Sequence, residues 1–439
     1  MYIQAEEATL KVGRRKCGPS VKRSSAGDKV VIVGGGSGAV GVIEGLRNLN
    51  YAGPVQVISS EGYLPIDRPK LSKALITDPS KIALRDEAFY QDASVEFVQD
   101  EVVGIDFGKK LVKTKDSKEL PYKTLVLATG GTPRNLPLTG FRTLANIFTM
   151  RTVHDAKAIV DAIGEGGKKI VVVGSSFIGM EVANATCGNN SVSVIGMEKV
   201  PLERVMGEKV GAGLQKGLEG KGVKFYMSAM VDKADPSTAD PAKVGAVLLK
   251  DGTTLEADLV ILGVGVAPAT VFLRGNDALT LEKDGSLKTD ESFKVQGLDD
   301  VYAVGDIATY PYHGPGGEGS LTRIEHWNVA QNAGRAVASA ISGKRAEPFI
   351  PIFWSALSGQ LRYCGNTVNG WDDLALQGNP AESKFVAYYC KGETVVAMAS
   401  MGMDPAMSQS SELLRLGKMP SKSELADGMD VMSLGAPGA

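Results

Sequence analysis

A glycine-rich turn near the start of the chain has the residue types and spacing that bind a dinucleotide. It follows a run of β-branched residues, Val30–Val33, which predicts a buried parallel strand. In the pattern G-x-G-x-x-A, Gly34 permits the turn, Gly36 lets a pyrophosphate approach the backbone, and Ala39 lets the next helix pack closely. The helix N-terminus supplies amide groups and a favourable dipole. We assign to this turn Gly34, Gly36, Ser37, Gly38 and Ala39. An ordinary glycine-rich turn is the alternative.

An acidic residue and a cationic loop follow the next predicted strand. The strand Val55–Ile58 ends near Glu61, which is placed to accept hydrogen bonds from ribose hydroxyls. Two prolines then predict an extended turn that carries Arg68, Lys70 and Lys73. Because ligands bind at this end of a nucleotide fold, we expect the cations to be functional, with a solvated basic loop as the alternative.

A second turn of the same kind follows the predicted strand Ile170–Val173. Its pattern is Gly174-x-Ser176-x-x-Gly179, with serine in place of the middle glycine. The serine methylene still permits moderately close approach of a phosphate, and the hydroxyl could donate to it. The sequence therefore predicts two dinucleotide-binding units in one chain.

The second unit contains an acidic residue that bears on the choice of cofactor. Glu198 follows the next strand and would favour a free ribose 2′-hydroxyl over a 2′-phosphate. Lys199 and Arg204 lie nearby and argue the other way. We expect NADH rather than NADPH, with NADPH left open.

Several later residues also stand where a backbone would approach a ligand. Gly265 ends a strand, and Asp306 in a strand-ending Gly-Asp could accept hydrogen bonds from a polyol such as the ribityl chain of a flavin. The loop Gly130 to Arg134 could close over a cofactor. A helix that opens near Trp327 would favour negative charge on a reduced flavin. The alternatives are an ordinary Gly-Asp turn, a core tryptophan and a surface histidine at 326.

Composition limits the other classes of function. The formal net charge of −2 over 439 residues gives no indication of nucleic-acid binding. The four cysteines lie far apart and only three histidines exist, so we expect no disulfide scaffold and no metal site. Apolar runs are too short to predict a transmembrane helix. Residues 1–28 contain acidic residues and fit a mitochondrial presequence poorly, so they are predicted to be a linker.

The chain resembles, over nearly its whole length, the flavin oxidoreductases with two dinucleotide folds, and most closely the apoptosis-inducing-factor family in its type-3, Rieske-linked branch. The motifs that carry the resemblance are VVIVGGG, LPIDRPKLSKAL, LATG, FTMRT, VVVGSSFIGMEVA, KFYM, YAVGDIATYP, EHWNVAQNAGR and FWSALSG. The resemblance implies that Lys73 and Glu181 form a pair beside flavin N5 that holds the flavin and the nicotinamide in hydride-transfer geometry.

The resemblance also implies two sets of cofactor residues. The residues implied for FAD are Gly34, Gly36, Ser37, Gly38, Ala39, Glu61, Arg68, Lys73, Thr129, Gly130, Arg134, Arg151, Asp306, His326, Trp327 and Trp354. The residues implied for NADH are Gly174, Ser176, Phe177, Ile178, Gly179, Glu181, Glu198, Arg204, Gly265 and Glu325.

The same resemblance leaves the electron acceptor open. Relatives of the disulfide-reductase type have a redox cysteine pair after the first strands, but no cysteine lies between Cys17 and Cys187. Relatives of the type-3 factor carry an N-terminal Rieske domain, and residues 1–28 resemble the linker that would follow it. We therefore expect electrons to pass directly from the flavin to an unidentified acceptor, such as a quinone or a Rieske or ferredoxin-type protein.

The predicted fold class is α/β, with two Rossmann-like folds and a small α+β C-terminal domain. An FAD domain spans 29–146 and 266–343, an NAD(P)H domain spans 147–265, and the C-terminal domain spans 344–439 with a mobile tail beyond Pro420. The predicted activity is FAD-dependent oxidation of NADH. The alternative is a redox-responsive interaction module or cell-death factor that NADH switches. A mitochondrial or cytoplasmic location and a homodimer both stay open.

Overall fold

The protein is described from a computed structural model, in which residues 28–434 are the described part of the chain. The predicted linker, apart from Asp28, and Cys17 lie outside the described residues. The helices, in chain order, are α1 Ser37–Asn48, α2 Pro69–Ala74, α3 Glu87–Asp92, α4 Val153–Ile163, α5 Phe177–Thr186, α6 Glu203–Glu219, α7 Trp327–Ile341, α8 Ala406–Leu416 and α9 Lys422–Ala426.

The first parallel sheet is built around the strand that precedes the first glycine turn. Its strands, in spatial order, are Val301–Ala303, Thr124–Leu127, Val30–Val33, Val55–Ser59 and Val95–Gln99. Every residue of Val30–Val33 is buried, as expected for a central strand that is covered on both faces. The last part of the chain to join this sheet is Val301–Ala303, so the first fold is assembled from two separate stretches of sequence.

Glycines set the distance between the two helices that pack against each other on this sheet. A Cβ atom on Gly41 of α1 would lie 2.1 Å from the carbonyl oxygen of Gln331 in α7. A Cβ on Gly334 of α7 would lie 2.3 Å from the carbonyl oxygen of Gly38. Only glycine allows this close crossing, which brings the start of α7 beside the first glycine turn.

The second parallel sheet surrounds the strand that precedes the second glycine turn. Its strands, in spatial order, are Lys224–Tyr226, Ser191–Ile195, Lys169–Val173, Leu259–Leu262 and Ile147–Thr149. The central strand pairs in parallel with both of its neighbours. The two sheets confirm the prediction of two Rossmann-like folds.

Four small sheets decorate the two folds. Two are antiparallel and three-stranded, with strands Val102–Asp106, Leu111–Thr114 and Glu119–Pro121 in one, and Val231–Pro236, Val244–Leu249 and Thr254–Glu256 in the other. The third joins Leu287–Lys288, Ala308–Tyr312 and Ser320–Thr322. The fourth pairs Gly131–Pro133 with Val266–Pro268, so the loop predicted at Gly130 to Arg134 contains a short strand.

An antiparallel sheet forms the C-terminal domain, as the sequence predicts. Its strands, in spatial order, are Ile352–Ala356, Gln360–Gly365, Thr394–Met401, Lys384–Lys391 and Asp373–Asn379. One face packs with α8 into a core of its own, and the other face shares a core with the second parallel sheet and with the segment around α2. The C-terminal domain is therefore in direct contact with both nucleotide folds.

The segment after Pro420 differs from its prediction as a mobile tail. It forms α9, and the side chains of Leu425 and Val431 are buried against the C-terminal sheet. Gln377 donates hydrogen bonds to two backbone carbonyls of this segment. Two apolar side chains in a small polar stretch are enough to fix it, up to Leu434 at least.

Candidate functional site

A large cavity of about 900 Å³ is lined by residues of both nucleotide folds and of the C-terminal domain. It lies at the carboxyl ends of the central strands of both parallel sheets, where α/β folds bind their ligands. The first glycine turn, α2, the start of α5 and the strand Ile352–Ala356 all contribute to its wall.

The first glycine turn leaves open space where a phosphate would lie. Gly34 has φ +108°, and a Cβ atom there would lie 2.3 Å from the carbonyl oxygen of Ala128. A Cβ on Gly36 would meet no atom within 4 Å, so it would project into the cavity. Ser37 and Gly38 also line the cavity, whereas Ala39 is fully buried between helix and sheet.

The predicted basic loop is mostly a short helix, and its cations are paired. Arg68 makes a bidentate ion pair with Glu61, at 2.9 and 2.8 Å, and also donates to the carbonyl oxygen of Arg151. Lys70 is exposed, pairs with Asp67 and does not line the cavity. The extended turn is therefore wrong for Pro69–Ala74, because proline is compatible with the first turn of a helix.

A second ion pair closes the wall beside the first turn. Arg151 binds Asp306 at 3.0 Å, and Asp306 is largely buried. The Thr129 hydroxyl donates to the carbonyl oxygen of Ala269 at 2.8 Å. Thr129, Gly130, Arg151 and Asp306 all line the cavity.

Arg134, like Ala39, is a predicted FAD residue that the structure places outside the cavity wall. Its side chain is exposed, and its Nε donates to the carbonyl oxygen of Val266 at 3.0 Å. This bond ties the ribbon of Gly131–Pro133 and Val266–Pro268 together. Arg134 directly follows the strand Gly131–Pro133, and its side chain does not line the cavity.

Lys73 and Glu181 meet inside the cavity. The Lys73 Nζ lies 2.9 Å from Glu181 Oε1, and the Glu181 carboxylate is 4% exposed. Lys73 comes from α2 and Glu181 from α5, so the pair joins the two nucleotide folds. A buried carboxylate needs such a cation and further hydrogen bonds to offset its desolvation.

Aromatic side chains form one end of the cavity. His326 lies against Phe353 with a ring-centroid distance of 4.3 Å, and Trp327 meets Trp354 edge to face at 5.6 Å. Burial lowers the pKa of His326 to about 4, so its imidazole is neutral near pH 7. Its Nδ1 and the Nε1 of Trp327 are buried with no protein partner among the described residues.

The second glycine turn is tight for a reason similar to that of the first. Gly174 has φ +107°, and its Cβ would lie 2.4 Å from the carbonyl oxygen of Gly263. The Ser176 hydroxyl donates to that same carbonyl at 3.0 Å. The hydroxyl is thus engaged by the protein, in contrast to the expectation that it could donate to a phosphate. Gly179 packs against the backbone of Gly174.

The remaining NADH residues divide between the cavity and a neighbouring surface. Phe177, Ile178, Gly265 and Glu325 line the cavity. Burial raises the pKa of the Glu325 carboxyl, which accepts a hydrogen bond from Arg323. Arg323 was not among the predicted site residues.

Glu198 lies beyond the cavity wall and has a cation of its own. Its Oε1 is 3.1 Å from Arg204 Nε, and the Ser175 hydroxyl donates to its Oε2 at 3.3 Å. Lys199 pairs instead with Glu208. Glu198 is therefore paired with Arg204, one of the two cations that argued for NADPH. The expected preference for NADH stays a prediction.

Comparison with known proteins gives the family. The family described as "Pyridine nucleotide-disulphide oxidoreductase" matches residues 28–334, and "Reductase C-terminal" matches residues 352–433. Human "Apoptosis-inducing factor 3" is 36% identical over 97% of this chain and 70% of its own length. The chain belongs to the apoptosis-inducing-factor branch of the pyridine nucleotide-disulphide oxidoreductases. It is an FAD-dependent NAD(P)H oxidoreductase.

Two further proteins similar to this flavoprotein are named as reductases of small electron-transfer proteins. The "Benzene 1,2-dioxygenase system ferredoxin--NAD(+) reductase subunit" of Pseudomonas putida is 31% identical over 80% of this chain and 83% of its own. The solved "covalent putidaredoxin reductase-putidaredoxin complex" has a TM-score of 0.84 at 29% identity, over 92% of this chain and 97% of that one.

The shape and the polar groups of the cavity fit FAD. The open space at Gly36 matches a pyrophosphate, and the buried, unpartnered nitrogens of His326 and Trp327 match polar ring atoms of a flavin. Glu61 and Asp306 supply carboxylates for hydroxyl groups. The assignment of each residue to a particular cofactor stays a prediction.

Sequence reasoning missed two serines that lie at the centre of the site. Ser72 and Ser355 both donate hydrogen bonds to the Glu181 carboxylate. Both residues stand inside motifs that carry the family resemblance, Ser72 in LPIDRPKLSKAL and Ser355 in FWSALSG. Their position in these motifs was the available signal, whereas their burial is visible only in the structure.

No group of three His, Cys, Asp or Glu side chains among residues 28–434 is arranged to hold a metal ion. Cys187, Cys364 and Cys390, the described cysteines, are free and do not line the cavity. Within residues 28–434, the longest apolar helices fall short of what a membrane crossing requires.

Proposed function

We propose that this flavoprotein takes hydride from NADH and passes electrons to a ferredoxin-type iron–sulfur protein. The observation that carries the proposal is the Lys73–Glu181 pair, which stands inside a cavity lined by residues of both glycine turns. Bound FAD would accept hydride from NADH and release electrons to the acceptor. The chain's own residues bind the two cofactors, orient their reacting groups and shield them from water.

Each part of the cavity wall has its own task in this proposal. The ion pairs of Glu61 with Arg68 and of Asp306 with Arg151 fix the carboxylates that would bind hydroxyl groups. The Lys73–Glu181 pair fixes the geometry where the nicotinamide and the flavin would meet. The neutral imidazole of His326 and the neighbouring aromatic rings exclude water from that end.

The state of the cysteine thiols and the names of the relatives both favour an iron–sulfur protein as the electron acceptor. Burial raises the pKa of the Cys390 thiol to about 11 and that of Cys364 well above its usual range, so neither is a reactive thiolate. Without a thiol relay among the described residues of the cavity, electrons leave the flavin directly. The relatives named as ferredoxin and putidaredoxin reductases favour a small iron–sulfur protein over a quinone.

A re-oxidation experiment tests the acceptor. The FAD-loaded protein is reduced with one equivalent of NADH without oxygen and then mixed with a [2Fe–2S] ferredoxin, a rubredoxin or a soluble quinone. We expect the ferredoxin to restore flavin absorbance fastest, with rates that fall as ionic strength rises. A quinone that re-oxidises the protein faster than either iron–sulfur protein would overturn the proposed acceptor.

A second candidate function rests on the human relative named "Apoptosis-inducing factor 3". In it, the NADH-reduced protein is a long-lived signalling state that changes partner binding or dimerisation. The lifetime of the reduced protein in air separates the two functions: many minutes without an acceptor, together with no transfer to ferredoxin, would favour the switch. A mitochondrial or cytoplasmic location stays a prediction.

A further inference from the structure

The Glu181 carboxylate is held by three donors that come from two different domains. Lys73 Nζ lies 2.9 Å from Oε1, the Ser355 hydroxyl donates to the same oxygen at 2.7 Å, and the Ser72 hydroxyl donates to Oε2. Ser72 and Lys73 belong to α2 of the first nucleotide fold, whereas Ser355 belongs to the C-terminal sheet. The Lys73–Glu181 pair thus gains a hydrogen-bond donor, Ser355, from the C-terminal domain.

Ser355 occupies a position where its strand otherwise buries apolar side chains. In Ile352–Ala356, the buried residues are Phe353 and Ser355, which share a face because strand side chains alternate. Phe353 packs against Phe177 of α5 and against His326. Ser355 is 1% exposed, and a hydroxyl there is unfavourable unless it is hydrogen-bonded.

We propose that Ser355 is a positioning residue for hydride transfer, through which the C-terminal domain fixes the Glu181 carboxylate against Lys73. This inference rests on the proposed function of the site. One cation leaves a carboxylate free to rotate about its last torsion. The Ser355 and Ser72 hydroxyls, which approach different oxygens, fix that rotation. The C-terminal domain therefore contributes to the reduction of the flavin by NADH.

The kinetic test is anaerobic stopped-flow reduction of the FAD-loaded protein over a range of NADH concentrations. We expect Ser355→Ala to lower the limiting rate of flavin reduction about 10-fold, with a smaller change in the apparent Kd for NADH. Ser400→Ala is the matched control, because Ser400 is 1% exposed in the same sheet and its hydroxyl has no partner among the described residues. An unchanged limiting rate in Ser355→Ala would overturn the proposal.

A double-mutant cycle separates positioning from general damage. If Ser355 acts through Glu181, Ser355→Ala should cause no further loss of rate in a Glu181→Ala background. Equal losses in both backgrounds would show a structural role only and overturn the proposal. Ser355→Cys keeps the size of the side chain with a weaker donor, and it gives the same comparison if the alanine variant fails to fold.

Unfolding supplies a readout that needs no turnover. The free energy of unfolding in urea is measured for the FAD-loaded wild type, both single variants and the double variant. We expect the double variant to be no less stable than Glu181→Ala alone, whereas additive losses would contradict the contact. If NADH fails to reduce even the wild type, the proposed function falls, and this cycle still decides whether Ser355 and Glu181 are coupled.

Discussion

At the scale of single residues, the central feature is a buried carboxylate that is shared between domains. Glu181 alone could be a charge on the second turn of α5, and Lys73 alone could be a surface cation. Their separation of 2.9 Å inside the cavity makes them one unit. Because removing one partner leaves the other charge buried and unpaired, both residues should be sensitive to substitution.

Replacement of Glu181 tests the role of this pair. We expect Glu181→Ala and Lys73→Met each to lower the rate constant of flavin reduction by NADH about 10- to 100-fold, because the reacting groups lose their alignment. Lys70→Met is the matched control, since Lys70 lies on the same helix but is exposed and outside the cavity. A Glu181→Ala protein that is reduced at the wild-type rate would show that the pair has no part in the reaction.

The neutral imidazole of His326 gives a prediction about pH. Its pKa is lowered by burial from 6.5 to about 4, so the unfolded chain binds more protons than the folded protein between these values. The free energy of unfolding should therefore fall as pH falls from about 6.5 to about 4, and this residue should contribute no slope above that window.

Urea unfolding of the FAD-loaded protein at several pH values measures that slope. His326→Asn should flatten it over this window, whereas His154→Asn, at an exposed position on α4, should leave it as in the wild type. A His326→Asn protein with an unchanged slope would mean that other groups carry the pH dependence.

At the scale of elements, the two glycine turns place helix N-termini at the cavity. At Gly34 and Gly174 the backbone itself excludes a side chain, since a Cβ would lie 2.3 and 2.4 Å from a carbonyl oxygen. At Gly36 the protein leaves room for a side chain at the cavity wall, where a pyrophosphate would lie. We therefore expect glycine to serve folding at Gly34 and Gly174 and ligand binding at Gly36.

Gly36→Ala separates these roles. The variant should fold with wild-type stability in the absence of FAD but bind FAD at least about tenfold more weakly, a loss of about 1.4 kcal/mol. Fluorescence titration of the FAD-free protein measures the Kd. Gly188→Ala, which also adds a Cβ in open space but outside the cavity, should bind FAD normally. An unchanged Kd for FAD in Gly36→Ala would show that the pyrophosphate does not lie against this turn.

The segment after Pro420 is an integral part of the C-terminal domain. Leu425 is fully buried, so Leu425→Ala should lower the free energy of unfolding by about 2–5 kcal/mol. Leu416→Ala, at an exposed position on α8, should change it by no more than about 0.5 kcal/mol. Urea denaturation measures both, and equal stabilities of the two variants would mean that the segment does not contribute to the core.

At the scale of the whole molecule, local patterns were enough to predict the layout of both nucleotide folds. Buried strands followed by glycine turns have strong signatures within about 30 residues, so the sequence located the ends of Val30–Val33 and Lys169–Val173 closely. The order of motifs, read through the family resemblance, indicated that the first fold closes with a strand from residues beyond 300.

Contacts between distant segments were not predictable in the same way. The hydrogen bond from Ser355 to Glu181 spans 174 residues, and the short strand Gly131–Pro133 depends on its pairing with Val266–Pro268. Arg134 directly follows that strand, and its side chain bonds to the carbonyl oxygen of Val266 instead of lining the cavity. Such contacts depend on packing between segments that are far apart in the chain, which local sequence spacing does not record.

The most direct test of the account is anaerobic stopped-flow mixing of the FAD-loaded protein with NADH, followed at the flavin absorbance maximum and in the long-wavelength charge-transfer region. We expect the flavin to be reduced in well under a second at saturating NADH. Reduction by NADPH should be slower, because Glu198 disfavours a 2′-phosphate. A fully FAD-loaded protein that remains oxidised for minutes with NADH would contradict the assignment of this cavity to hydride transfer.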